Sequence, residues 1–403
     1  MPSGLSRRQL TVLILGLMAT GIGQSLVFAI LAPLGREVHL SEVQITALVG
    51  SSALVFGLAA PYWGRYSDRV GRKAVIITGL AGYCIGTLVF TSVFYAGLSG
   101  LVSGTALYVT LLVSRWCQSL VMSATNPAST AYAADHTDRE QRTKTMARLG
   151  TASSMGTILG PAVSGALATF GLLAPLYFAA GLAALSGVLI WRALPLGNPA
   201  LRVPRETKRK LRYTDGRIAL FLACAFGIFI GFSGIQQTLG FQLQDKMGLS
   251  GIETAQLTGA ALMVSASFTF LVQVTVMQRL QLSPTLFIRL GLIALLTGAS
   301  IISLFETFLV LAIGMAFIGT GMALCMPSIS AGASLAVKAE EQGAAAGLVA
   351  SCPPLGFAVG PVCAGALYQV HGPYAPLFSA VVFFLVLLMV AITDRGRGNA
   401  AQE

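Results

Sequence analysis

The sequence predicts an all-α membrane protein in which twelve transmembrane helices form two pseudo-symmetric six-helix bundles. Three observations predict it. The 403 residues are 55% hydrophobic and only 10% charged, against about a quarter charged in soluble chains. A chain so poor in charge has no polar coat to offer water, and the bilayer is its natural solvent. Lys and Arg fall almost wholly in alternate connections, and the two halves of the chain repeat one another.

A hydrocarbon core takes roughly 20 apolar residues per helix. The first span, near 9–32, is too long for the apolar region of a signal peptide and has no clean cleavage site. The second, near 44–63, ends on the charged stretch GRYSDRVGRK, and the third follows near 74–97. The fourth, near 102–132, carries Arg115; the fifth and sixth lie near 145–169 and 173–193. The basic, proline-containing stretch LPLGNPALRVPRETKRKLRYTDG then divides the chain. The expected parts are a bundle over 1–193, a cytoplasmic linker over 194–216 touching anionic lipid, and a bundle with a short tail over 217–403. Spans seven to twelve lie near 217–241, 254–277, 285–304, 306–333, 343–368 and 374–393. The fourth, tenth and eleventh are long and are expected to tilt or to extend past the membrane.

Charge sets the orientation. With the N-terminus in the cytoplasm, 23 of the 26 Lys and Arg lie on the inner side and only Arg36 and Lys246 outside. One, Arg115, sits inside a span. This asymmetry predicts an even number of spans with both termini cytoplasmic, in a bacterial-type inner membrane. It also explains the net charge of +11 without nucleic acid.

The repeat is specific. GTILGPAVSG, with Gly156, Gly160, Pro161 and Gly165, matches GFAVGPVCAG, with Gly356, Gly360, Pro361 and Gly365, at an offset of 200, and Pro127 matches Pro327 at the same offset. LSEVQITALVG at 40–50 aligns with LSGIETAQLTG at 249–259. Two related halves facing one another around a midplane cavity is a transporter design.

GRYSDRVGRK falls at the inner turn between spans two and three. Gly71 permits a tight turn, and the cations mark the inner face. Asp68 is the odd member, because a positive-inside turn needs no acid. The stretch resembles the loop pattern G-x-x-x-D-R-x-G-R-K/R of the major facilitator superfamily, with Gly64, Asp68, Arg69, Gly71, Arg72 and Lys73 all matching. The resemblance implies a twelve-helix transporter working by alternating access. It further implies that Asp68 docks at the start of the eleventh span, near Glu341–Ala346, and that Arg72 pairs with Asp135 at the end of the fourth. The turn would then be a latch holding one of two states. The plain alternative is a positive-inside turn with an incidental acid.

Arg115 is an intramembrane cation and a functional candidate for that reason. Arg115, Gln118, Met122, Asn126 and Ser129 step by three or four and are expected to share one helix face. The stretch resembles the family's fourth-helix R-x-x-Q-G motif, with Ser119 in the place of glycine, and the resemblance implies a role in proton coupling. A structural arginine capping carbonyls is the alternative. Gln24 in span one and Gln236 and Gln237 in span seven are expected to line the cavity; bonding between helices is the equal alternative. GTILGPAVSG resembles the exporter motif of the fifth helix, with Ala147 and Ser164 replacing glycines. Its copy in span eleven restores the first glycine as Gly347, and QGAAAGLVASCPPLGFAVGP resembles the tetracycline-type drug:proton antiporters. Glycines four apart let helices approach closely and proline bends them, so both seams are read as places that flex.

The chain departs from that type in one respect. Gly21-Ile22-Gly23 is present, but Met18 stands where those exporters carry an acid, and none of the 15 acids falls in the middle of a span. Coupling would then rest on a boundary carboxylate, or on Arg115 with a bound anion. A cavity with one cation and no anion favours anionic, zwitterionic or neutral amphipathic cargo. The expected function is proton-coupled export of a small molecule by a monomer. An exporter of a carboxylate-type siderophore or metabolite is the first alternative, and a non-transporting sensor with a transporter fold is the second. No clustered nucleophile, paired acids or metal-ligand spacing suggests an enzyme, metal or cofactor. The six cysteines lie in apolar runs and are read as buried and unpaired.

Overall fold

The computed structural model describes residues 6–137, 139–195, 211–280, 282–338 and 341–400, without the side chains of 139–144, 147 and 394–400. The greater part of the expected linker, 196–210, lies outside the described residues, as do Asp138 and Glu340.

Thirteen α-helices are described: α1 Arg7–Glu37, α2 Glu42–Val70, α3 Arg72–Leu98, α4 Gly104–Met122, α5 Thr125–Asp135, α6 Arg139–Leu167, α7 Ala174–Ala193, α8 Ala219–Met247, α9 Gly251–Arg279, α10 Pro284–Leu304, α11 Phe308–Leu335, α12 Gln342–Val370 and α13 Tyr374–Ala400. Ten of these are long and apolar enough to cross a membrane. The fold is that of an all-α membrane protein. Large apolar side chains that a water-soluble protein would cover stand on the surface, among them Leu58, Phe170, Leu304 and Leu335.

Local chemistry places the ends. Ser6 with Gln9 and Ser41 with Gln44 form capping boxes at the starts of α1 and α2. Gly248, in the left-handed conformation, stops α8. Between α2 and α3 the chain turns on Gly71 alone, at φ 108°, where a side chain would be strained.

The fourth expected span is two helices. Pro127 has no N–H, so the Ser123 carbonyl loses its donor four residues on, and the proline ring crowds that carbonyl. Ser123 and Ala124 form a turn between α4 and α5, with the Ala124 N–H bonded to the Val121 carbonyl at 3.1 Å. Prolines 161, 353, 354 and 361 leave α6 and α12 continuous.

The chain forms two compact units, Met1–Pro204 with Leu249–Ala260, and Arg205–Gly248 with Ala261–Glu403. In the first, α1 is the hub. It is buried through most of its length and packs chiefly on α6 and α7. Leu13, Leu17, Ile76, Leu80, Tyr132 and Ile190 fill one end of its core. In the second, α8 has the same place, packed on α12 and α13, while α10 and α11 interlock through glycines 291, 298, 314 and 321. In a bilayer such association comes from close packing of small residues rather than from water exclusion.

The cysteines are all free, but only Cys224, Cys325 and Cys352 are buried. Cys84 and Cys363 are half-buried and Cys117 is exposed. That corrects the expectation of burial for three of them: Cys117 stands on an uncovered face of α4, and Cys84, beside Met122 and Ala183, and Cys363 are only partly covered, because an apolar run alone does not say which of its faces meets a neighbour.

Candidate functional site

The buried polar centre of the first unit is built where α4 meets α3. Glycines 79, 82 and 86 form a stripe on α3, and side chains of α4 and α5 fill it. A Cβ at position 86 would meet Gln118, and one at 82 would meet Val121. This close approach lets the Gln118 amide donate to the Thr87 hydroxyl at 2.6 Å. Arg115, one turn earlier and 8% exposed, donates from Nη1 to the Gln118 Oε1 at 2.5 Å. Its guanidinium stands 5.4 Å from the Phe90 ring centre, a favourable cation–π distance. Its Nε is buried with no hydrogen-bond partner, and no carboxylate pairs with it among the described residues. A buried cation satisfied only by an amide and a ring has donors left for an anionic group.

The continuous polar face expected over residues 115–129 is interrupted. Arg115 and Gln118 belong to α4, whereas Asn126 and Ser129 belong to α5, after the turn that Pro127 imposes. Asn126 is half-buried and its Oδ1 lacks a partner. Gln24 on α1 is half-buried. Gln236 and Gln237 on α8 are buried, and Gln236 Oε1 and Gln237 Nε2 have no partner among the described residues.

The charged motif is mostly helix, not loop. Gly64, Asp68 and Arg69 lie in the last two turns of α2, Gly71 is the turn, and Arg72 and Lys73 open α3. Nothing in that stretch stops a helix before Gly71. Arg72 gathers the group: it pairs with Asp68, contacts Asp135 at the end of α5 from Nε at 3.1 Å, and donates to the Ser67 hydroxyl at 2.5 Å and the Gly64 carbonyl at 3.3 Å. Arg69 is exposed and Lys73 half-buried.

The two glycine–proline seams repeat in space within their units. A Cβ at Gly156 or Gly160 would strike the α1 backbone at Met18 and Ile22, and the Ser25 hydroxyl. At Gly356 or Gly360 it would strike Phe229, Ile230 and the Ser233 hydroxyl of α8. The Ser25 hydroxyl points to the Gly156 carbonyl at 3.5 Å and the Ser233 hydroxyl to the Gly356 carbonyl at 3.2 Å. Pro161, Gly165, Pro361 and Gly365 are buried; Gly165 and the Pro161 carbonyl lie against α9, at Ala255, Gln256 and Gly259, rather than against α1. Gly347 is not part of the seam: it is exposed and a Cβ there would meet nothing within 4 Å. It shares the repeat's spacing, but it stands on the uncovered face of α12, whose other face buries Ala345 and Val349.

Other groups have no spacing signal in the sequence. Arg217, just before α8, binds Glu341 at 2.8 Å and Asp215 at 2.8 Å, and the Tyr213 hydroxyl meets the Ser351 hydroxyl at 2.9 Å. The end of the linker is thereby tied to the start of α12. The guanidinium holds the Asp215 carboxyl below its ordinary range, and both acids raise Arg217. At the far end of α8, Tyr368 of α12 donates to Asp245 at 2.5 Å. Every described carboxylate lies at a helix end or outside a helix. No group of three metal-ligating side chains exists among the described residues.

Known proteins share this sequence pattern and fold. The sequence model of the Major Facilitator Superfamily matches residues 13–352 and 285–403. The chain is 26% identical to multidrug resistance protein 2 of Bacillus subtilis (strain 168), over 97% of this chain and 96% of that one. It is 24% identical to the quinolone resistance protein NorA of Staphylococcus aureus (strain COL), over 96% and 97%. Its fold is similar to the crystal structure of the human organic anion transporter MFSD10 (TETRAN), with a TM-score of 0.64 at 20% identity, covering 95% of this chain and 99% of that one. With its ten apolar spans, its repeated halves and a family match over most of its length, the chain belongs to the Major Facilitator Superfamily.

Proposed function

We propose that this protein exports a small amphipathic molecule with an anionic or zwitterionic end, by alternating access driven by inward proton flow. Export is supported by relatives named for multidrug and quinolone resistance that span almost the whole chain. The observation that carries the cargo class is Arg115: a buried guanidinium with an unpartnered Nε and no carboxylate beside it among the described residues. A site with a fixed positive charge discriminates against lipophilic cations and attracts carboxylates. Gln118 orients the arginine, and Gln24, Asn126, Gln236 and Gln237 supply amides for polar parts of the cargo. The Arg72–Asp68–Asp135 group acts as the latch, and the glycine seams allow helices to move. Both termini are cytoplasmic, in an inner membrane, and the protein works as a monomer.

The same cation favours a second reading, export of a carboxylate-rich metabolite or citrate-type siderophore. One experiment tests both. The purified protein is placed in proteoliposomes under a pH gradient and proton movement is followed with a pH dye. Lipophilic cations, a fluoroquinolone, a tetracycline and a citrate-type siderophore are added in turn. Proton movement with the zwitterionic drugs supports the first reading and with the siderophore alone the second. A response to lipophilic cations alone refutes the role given to Arg115.

A further inference from the structure

Inside the first unit, α3 brings a further polar group to the Arg115 site. Resting on the proposed anionic cargo, we infer that the Tyr83 hydroxyl donates a second hydrogen bond to the carboxylate that Arg115 binds, and so helps to decide which cargo is accepted. Tyr83 is 2% exposed. Its ring packs on Met122 of α4 and Ala183 of α7. Its hydroxyl makes no hydrogen bond among the described residues.

Tyr83 shares one face of α3 with the partners of Arg115, since Thr87 lies one turn on and Phe90 two. The Thr87 hydroxyl donates to the Tyr83 carbonyl at 2.7 Å while it accepts from Gln118. Tyrosine and arginine therefore stand at the two ends of one hydrogen-bonded chain. The guanidinium is close enough to act electrostatically on the phenol. At its tip the phenol meets α1 at Gly23, where a Cβ would overlap the hydroxyl oxygen. The missing side chain leaves room for the hydroxyl against α1, next in sequence to Gln24.

The neighbouring polar groups are engaged elsewhere or face another way. Gln118 gives Oε1 to Arg115 and Nε2 to Thr87. Thr91 and Ser114 donate to the Thr87 and Leu111 carbonyls. Ser119 stands about 100° round α4 from Gln118. The unpartnered hydroxyls of Thr125 and Tyr132 are wholly buried, whereas that of Tyr83 keeps some exposure. Beside the Arg115 Nε, the Tyr83 hydroxyl is the donor of this group that awaits an acceptor.

The two donors do different work. A guanidinium attracts any anion within reach. A phenol carries no charge and donates one hydrogen bond, so it requires an acceptor oxygen at one place. Held on separate helices, α4 and α3, they select a carboxylate that can offer one oxygen to each. A hydrogen bond to a charged oxygen is about twice as strong as one to a neutral oxygen, so Tyr83 adds to the preference for an acid over its ester.

The test compares wild type with Tyr83→Phe, which keeps the ring against Met122 and Ala183 and removes only the hydroxyl. Binding to the purified protein in detergent is measured by calorimetry for a fluoroquinolone, for citrate and for the methyl ester of each. Ligand-free melting should stay where it is in wild type. For each acid that wild type prefers, the acid-to-ester affinity ratio should fall about tenfold in Tyr83→Phe. An unchanged ratio, whether both affinities hold or both fall together, overturns the inference and leaves the role of Arg115 standing. A wild type that prefers neither acid to its ester, or binds none of the four, overturns the anionic cargo and the inference together.

Discussion

Replacing Arg115 by methionine separates a functional arginine from a structural one. An arginine at the middle of a membrane helix costs about 2.5–3.5 kcal/mol by insertion scales. The structure returns part of this through the 2.5 Å bond to Gln118, about 1.5–3 kcal/mol for a charged donor. The Phe90 ring at 5.4 Å returns about 0.5–2 kcal/mol more. Methionine removes the cost and both gains; the unpaired Gln118 oxygen is already counted in the value of the lost bond. The terms largely cancel, so the ligand-free variant should stay within about 2 kcal/mol of wild type in detergent. Ligand at a hundredfold excess over its Kd adds about 2.7 kcal/mol to wild type, and the variant should lose that increment. Arg115→Lys keeps the charge without the planar fork and should retain part of it. The assay is thermal unfolding with and without a fluoroquinolone and a citrate-type siderophore. A ligand-free variant destabilised by more than about 3 kcal/mol, or a preserved ligand-dependent shift, refutes the reasoning.

Three further outcomes are expected. Gly160→Ala and Gly360→Ala each drive a methyl into a neighbouring helix, at about 1–3 kcal/mol; lying in different units, they should add in thermal unfolding. Asp68→Asn and Asp135→Asn remove half-exposed partners of Arg72, so stability should change by less than about 1 kcal/mol while transport collapses, and normal turnover would remove the latch. Arg217 lowers the Asp215 pKa, so the tie at the end of the linker is fully present above about pH 4 and lost as pH falls through the lowered value; amide exchange over 211–218 should quicken there, and Asp215→Asn should flatten that dependence.

Much of the fold was legible because span length, charge asymmetry and the repeat all constrain the same quantity, the path of the chain through a bilayer. The helix ends were less so. α2 runs on to Val70 because Tyr66, Ser67 and Asp68 are as compatible with helix as with turn, and only Gly71 forces the reversal. The break before Thr125 did have a signal, the missing N–H of Pro127, but the polar periodicity across it argued for continuity. Gly347 shows what a repeat conveys: spacing passes from one half to the other, while which face meets a neighbour is decided by packing. Pairings such as Gln118 with Thr87, or Asp245 with Tyr368 at a separation of 123 residues, arise from tertiary approach and leave no trace in local spacing.

The two seam serines set how much resistance the helices offer to sliding. Ser25 has acceptors in its own helix, the Gly21 carbonyl at 2.9 Å and the Ile22 carbonyl at 3.3 Å, besides Gly156 across the seam. Ser233 is likewise shared between the Ile230 and Gly356 carbonyls, both at 3.2 Å. When α6 shifts along α1, or α12 along α8, the hydroxyl falls back on its own helix and no polar group is stranded in hydrocarbon. Each seam therefore behaves as a low-friction bearing. In the proposed mechanism the work of switching then falls on the charged helix ends.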